Sequence, residues 1–218
     1  FYTFNQCHTI YCLYFCSKIH IMNYSIYAES TPNPGVMKFV ANRMLADKSI
    51  EITEAEQAKD ISVAKALFNF PFVKSLYISS NFISISKTDN VEWDMIAMQL
   101  RNFITDFLNE EGLKNYTENI TEEEIIKKEV SKEKNSTKIE FTDKEKAIID
   151  LLNEYIKPAV EADGGAITFN SYVGDVVTVN LKGACSGCPS ATSTLKGGIE
   201  SLLNQKVDPN IVVRANEG

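Results

Sequence analysis

Two cysteines stand three positions apart in the run Gly183-Ala184-Cys185-Ser186-Gly187-Cys188-Pro189-Ser190. A glycine-bearing turn of this kind, running into a helix that a proline starts, aims two soft ligands at one point. The thiolate, not the thiol, is the nucleophile and the metal ligand, and the start of a helix favours it. Pro189 suits the first helical position, where no amide hydrogen is needed, and this makes Cys188 the N-cap. The unpaired amides of the first turn then face the sulfurs. Gly183 and Gly187 let the backbone bend where a side chain would crowd a bound group. Two sulfurs are half of what tetrahedral zinc or a cubane iron–sulfur cluster requires.

The rest of the chain limits where the other half can come from. Residues 1–22 contain Cys7, Cys12, Cys16, His8 and His20, but show neither helical nor strand periodicity. Their only basic residue, Lys18, follows the apolar part, whereas a secretory signal places its basic region first. We read this stretch as non-native sequence upstream of a start at Met22, or as a truncated leader, and rest no function on it. From Met22 onward the only cysteines are Cys185 and Cys188, and there is no histidine. That body cannot build a Ser/His/Asp or Cys/His nucleophilic site. Nor can it complete a Cys₂His₂ or Cys₃His zinc site within one chain. No catalytic residue is expected.

Four readings of the thiol pair remain open from the residues. A dithiol–disulfide oxidoreductase uses such a motif. It usually opens a helix after a strand of a βαβ unit, whereas here the preceding strands read as a hairpin. A structural zinc site would need two more cysteines from a partner chain, giving a zinc-bridged dimer. An iron–sulfur cluster could be shared across a two-fold axis, with Cys185 and Cys188 from each chain. The pair could also be inert, although structural cysteines seldom sit on a glycine turn at a helix start.

Composition supports ordinary globular units. With 218 residues, 44% hydrophobic and 23% charged, the chain has material for one or two cores. Its net charge of −7 argues against a nucleic-acid partner, which calls for a basic surface. No run reaches the roughly 18 consecutive apolar residues of a membrane span.

The pattern is that of an α+β protein, with two small domains of mixed helix and strand joined by a charged linker. The first domain, 23–112, reads ββαββα. Strands at 25–29 and 36–40 flank the turn Thr31-Pro32-Asn33-Pro34, whose prolines cannot join a sheet. A helix is expected over 53–69, and a hairpin, VKSLYIS–SN–FISISK, over 73–87. Trp93, Ile96, Ala97, Leu100, Phe103, Ile104 and Phe107 then mark one face of a helix, with Trp93 as a packing residue. Gly112 is a plausible stop for it. Residues 113–140 form the linker: Asn115 to Lys138 carries six acids and five lysines, too little apolar surface to offset ordering. The second domain, 141–218, reads αββαβ, opening on a capping box between Thr142 and Glu145. Asp163-Gly164-Gly165 is turn chemistry into the first of its strands. A domain of this size is marginal alone, so a cluster or partner helps to hold it.

These residues resemble a known family. DGG, a β-hairpin and GACSGCPSATSTLKGGIESLL together look like the NifU C-terminal domain, the Nfu-type iron–sulfur scaffold and carrier, over about 142–214. Upstream, STPNPGVMKF, AKALFNFPFVKSLYISSNFISISK and Trp93 resemble the N-terminal domain that accompanies it in many Nfu proteins. Ala166 departs from the pattern, since many members have an acidic residue after DGG; we expect this to alter only a local surface feature. The resemblance implies a homodimer that holds a [4Fe-4S] cluster, or alternatively a [2Fe-2S] one, on Cys185 and Cys188 of both chains. It implies transfer to apo iron–sulfur proteins, contact with the upstream assembly machinery, and no enzymatic activity. The first domain is expected to dock clients. A start at Met22 favours the cytoplasm, and a genuine leader would favour an organelle.

Overall fold

The structure, a computed structural model, describes residues 23–110, 141–187 and 189–217. Residues 1–22, the linker expected at 113–140, Gly112 and Cys188 lie outside the described residues.

The N-terminal unit is a five-stranded antiparallel sheet with helices on one face. Its elements are β1 (Ile26–Ser30), β2 (Val36–Ala41), β3 (Ala46–Ile52), α1 (Ser62–Leu67), β4 (Val73–Ser80), β5 (Phe82–Lys87) and α2 (Trp93–Glu110). The sheet order is β1-β2-β5-β4-β3. Two details differ from the ββαββα expectation. β3 is an additional strand at the sheet edge, and the helix expected over 53–69 is a 3₁₀ turn, Ala55–Ala58, followed by the short α1. The hairpin stands as expected, with Ser79 paired to Phe82 and Ser80 at positive φ in the turn.

Alternation within the central strands explains the layer order. Phe39 of β2, Leu76 and Ile78 of β4, and Ile83 and Ile85 of β5 form one face, packed on α2 through Ile96, Leu100, Ile104 and Leu108. Spacing by four along α2 puts those four on one stripe, while Trp93, Phe103 and Phe107 flank it partly buried. Each fully buried aliphatic or aromatic side chain contributes about 1.5–3 kcal/mol, so this face dominates the unit's stability. The opposite face carries Lys38, Val40, Tyr77, Ser79, Phe82 and Ser84. In an antiparallel sheet backed by helices on one side this face is ordinarily solvated. Here all six are at least nine-tenths buried, because the second unit lies on it.

That second unit comprises α3 (Asp143–Leu151), a π-helical segment (Leu152–Ile156), α4 (Lys157–Ala162), β6 (Gly165–Val173), β7 (Val176–Gly183), α5 (Pro189–Lys206) and β8 (Val212–Glu217). The capping box closes as the sequence predicts: Glu145 N–H donates to Thr142 Oγ1, and Thr142 N–H to Glu145 Oε2 at 2.8 Å. Pro158 does not end the helix. It cannot donate to the carbonyl four residues back, and the wider π turn absorbs the defect before α4 resumes. β6 and β7 form the expected hairpin, while β8 runs parallel to β7. β7, α5 and β8 are therefore a βαβ unit, with the cysteine turn at its strand-to-helix junction.

A surface ion pair ties this unit's ends together. Lys144 Nζ, in the first turn of α3, donates to Asp208 Oδ2 at 2.9 Å, just before β8. The Lys144 hydrogen bond, and then that from the Asn210 amide, hold the Asp208 carboxyl below its ordinary value. A depressed carboxylate adds stability above its unfolded pKa and loses it as pH falls through the folded one. The Asp208→Asn variant should therefore lose part of the fall in Tm between about pH 5 and 2, measured at low salt, where screening is weak.

Candidate functional site

Cys185 sits in the turn between β7 and α5. Gly183 and Gly187 bracket it with φ of 62° and 72°, a region that other residues seldom occupy. The Ser186 amide donates to Gly183 O at 3.1 Å, and the Ala184 amide to Gly164 O at 3.2 Å, so the cysteine turn and the DGG turn are stitched together. Cys185 is 7% exposed and belongs to the core cluster with Ile148, Leu152 and Ile199. A Cβ on Gly165 would lie 2.6 Å from its Sγ, so the bare glycine leaves the space that the thiol occupies. Pro189 begins α5 as expected. The partner thiol, Cys188, lies outside the described residues.

Beside Cys185 lies a cavity of about 340 Å³, lined by Val160 and Asp163 at the end of α4, by Thr194 and Leu195 of α5, and by Pro32 of the N-terminal unit. On the turn's other flank a polar cleft of about 540 Å³ is bordered by Ser186, Gly187, Lys74 and Lys87. Among the described residues, no three His, Cys, Asp or Glu side chains are grouped to hold a metal ion.

The N-terminal unit reaches this turn directly, which the sequence did not foretell. Asn33 Nδ2 donates to Ala184 O at 3.1 Å and to Ser186 O at 3.3 Å, the two carbonyls flanking Cys185. Lys38 Nζ donates to Ala162 O at 2.8 Å, and Ser84 Oγ to Gly164 O at 2.6 Å. The Gly183 amide donates to Glu51 Oε1 at 3.1 Å. Gly183 and Gly164 also make room for this approach: a Cβ on the first would meet the Tyr77 ring at 2.9 Å, and on the second Ser84 Oγ at 2.8 Å.

Two expectations need correction here. Ala166 is not a surface feature: it is 9% exposed and packs with Val40, Tyr77 and Phe82 of the N-terminal sheet. An acidic side chain at this position would enter an apolar contact. The oxidoreductase reading lost weight because the preceding strands read as a hairpin, yet the turn does open the helix of a βαβ unit. What counts against that reading is the burial of Cys185, since an attacking thiol must reach its disulfide. Asn33 and Gly165 are the site residues the sequence reading missed. Asn33 read as a strand-separating turn, and Gly165 as turn chemistry only. Trp93 packs as expected, and its Nε1 also donates to Pro34 O at 2.9 Å, bracing the turn that carries Asn33.

A turn carrying the buried Cys185 at a strand-to-helix junction, seated against a separate α+β unit, defines a two-part α+β protein. Residues 26–111 match the family model described as "Scaffold protein Nfu/NifU N terminal", and residues 148–214 match "NifU-like domain". The chain belongs to the Nfu/NifU family. A Drosophila grimshawi protein named NFU1 iron-sulfur cluster scaffold homolog, mitochondrial, is 33% identical over 181 residues, covering 82% of this chain and 57% of that protein. The Drosophila persimilis protein of the same name is 32% identical over 182 residues, covering 82% and 60%. This chain thus spans somewhat over half the length of these relatives. A solved NifU-like protein from Saccharomyces cerevisiae is 29% identical, with a TM-score of 0.36, covering 39% of this chain and 79% of its own.

Proposed function

We propose that this chain is an iron–sulfur cluster scaffold and carrier, binding its cargo on Cys185 and Cys188 of two copies and passing it to apo-proteins. Cys185 and Cys188 are the only cysteines from residue 22 onward, and Cys185 lies on the turn that leads into α5. Four thiolates suit a [4Fe-4S] cluster, and two copies supply four. Family membership and the relatives' names support the same cargo. The buried seat of Cys185 and the cavity beside it fit a group held partly out of water.

Splitting the ligands between chains suits delivery as well as holding. While the copies stay together, four charge-bearing sulfurs retain the cluster; when they part, each chain keeps half the ligation. The chain's own residues then act by orienting thiolates, so no catalytic group is required and we propose none. We further propose that 23–112 and 141–218 are its two domains. Among the described residues no helix is long and apolar enough to cross a membrane. The word mitochondrial in the relatives' names supports an organellar location, with residues 1–22 as the leader to test by fusion to a fluorescent protein.

Anaerobic supply of iron and sulfide should give a brown, oxygen-sensitive dimer with about four irons. Cys185→Ser and Cys188→Ser should each lose that absorbance. A colourless dimer holding zinc would instead establish the structural metal reading. A colourless protein that catalyses disulfide reduction would establish the oxidoreductase.

A further inference from the structure

We propose that Asn33 is a positioning residue of the cysteine turn, and that the Thr31-Pro32-Asn33-Pro34-Gly35 segment is part of the cluster site rather than a mere strand connection. This rests on the function proposed above and adds to it a residue on the other unit, 151 positions away in sequence.

The segment is built to present one side chain. Thr31 Oγ1 accepts from the Asn33 amide at 3.2 Å and donates toward Asn33 O and Val36 O, both at 2.9 Å. The Val36 amide donates to Asn33 O at 3.0 Å. Pro32 and Pro34 restrict φ on either side, and Trp93 holds the Pro34 carbonyl. Asn33 Oδ1 is committed to the Gly35 amide at 3.0 Å, which fixes which end of the side-chain amide faces outward. A flipped amide would set two donors against each other, and an oxygen against two carbonyls. The outward Nδ2 therefore has one orientation, and both its hydrogens go to the cysteine turn. Asn33 is 9% exposed, so this donor has little water to fall back on.

What it grips matters. Ala184 O and Ser186 O belong to the peptide groups whose N–H atoms are those of Cys185 and Gly187. In a trans peptide the N–H points opposite to the C=O. Holding both carbonyls toward the N-terminal unit directs both amides away from it, on either side of the first thiol. Oriented amides around a sulfur favour its anion and any negatively charged group bound to it. Gly183 and Gly187, both at positive φ, make the turn easy to bend, and the Asn33 side chain fixes the bend.

The test uses the full chain and reads the apo protein first. Cys185 is buried, so its alkylation waits on opening of the turn, and loss of two hydrogen bonds that hold the turn outweighs any loss of thiolate. Iodoacetamide modification, followed by mass analysis of the peptide, should be about tenfold faster in Asn33→Ala. Asn33→Asp keeps the shape but faces two carbonyls with an acceptor, and should exceed Asn33→Ala. Lys38→Met removes a contact to Ala162 instead of the turn, and should leave the Cys185 rate near wild type. Equal rates in Asn33→Ala and wild type would overturn the proposal. So would a Lys38→Met rate as high as that of Asn33→Ala, because docking as a whole would then protect the thiol. In the reconstituted protein, Asn33→Ala should release iron to a chelator about tenfold faster and alter the visible circular dichroism. An unchanged spectrum and release rate would overturn the positioning role. A wild type that takes up no cluster would refute the proposed function, while the alkylation rates would still decide whether Asn33 fixes the turn.

Discussion

Gly165→Ala should abolish the cluster binding proposed above while destabilising the C-terminal unit by about 1–3 kcal/mol, the usual cost of overpacking. The added Cβ would lie 2.6 Å from Cys185 Sγ, 2.8 Å from Lys182 O and 3.0 Å from the Cys185 amide. Two of those three atoms are backbone and cannot swing aside. Gly165 also pairs with Gly183 across the hairpin, so its own strand cannot retreat without breaking the register. The thiol and the turn must therefore move together. For a unit of this size, the lost stability corresponds to a Tm roughly 4–8 °C lower per kcal/mol. Iron content after reconstitution and thermal unfolding of the apo form check the two parts separately. A stable variant that loads iron normally would show that Gly165 does not set the position of the thiol.

The second large effect lies across the contact between units. Ala166→Asp would place a carboxylate among Val40, Tyr77 and Phe82, each 5% exposed or less. An uncompensated charge in such a place costs about 3–5 kcal/mol. Lys182 stands opposite Ala166 on β7 and offers a partner only if the carboxylate leaves the apolar contact. Separation of the units would return the carboxylate to water. We expect a larger radius in solution scattering, two resolved thermal transitions in place of a concerted one, and faster modification of Cys185. Ala166→Asp with the wild-type radius and a single transition would show that the contact tolerates a carboxylate there.

The helix stripe of α2, the hairpin β4–β5 and the capping box of α3 were legible because each follows from neighbours three or four positions apart, or directly opposite across a tight turn. β3 was not. Of Ala46 to Ile52 only the two ends are buried, a bulge shifts its register, and Asp47, Lys48 and Ser49 are exposed as befits an edge strand. Alternation fails there because there is nothing on one side to alternate against. The π-helical segment ahead of Pro158 was hidden for another reason: a single wider turn leaves no composition signal. At the site, the thiol spacing and glycine turn announced themselves, and Pro189 fixed the helix start. Asn33 could not, since a turn asparagine and a turn asparagine that serves another unit look alike in sequence. The trace that existed was in the sheet. Lys38 and Ser84 face away from the helices, directly opposite one another in the register, yet both are buried and bonded to the other unit.

The two units belong to one chain, and among the described residues their contact holds a handful of hydrogen bonds and one small apolar cluster. A covalent connection, where it is short and flexible, sets an effective molarity on the order of 1 mM for a contact between its ends. A contact that as separate pieces would dissociate at about 10 µM is then closed about 99% of the time. Another copy's N-terminal unit, at micromolar concentration, competes for the same turn at a disadvantage of several hundredfold. Each cysteine turn is thus attended by the Asn33 of its own chain. Cutting the tether would make that attendance depend on concentration, while leaving every residue of the contact in place.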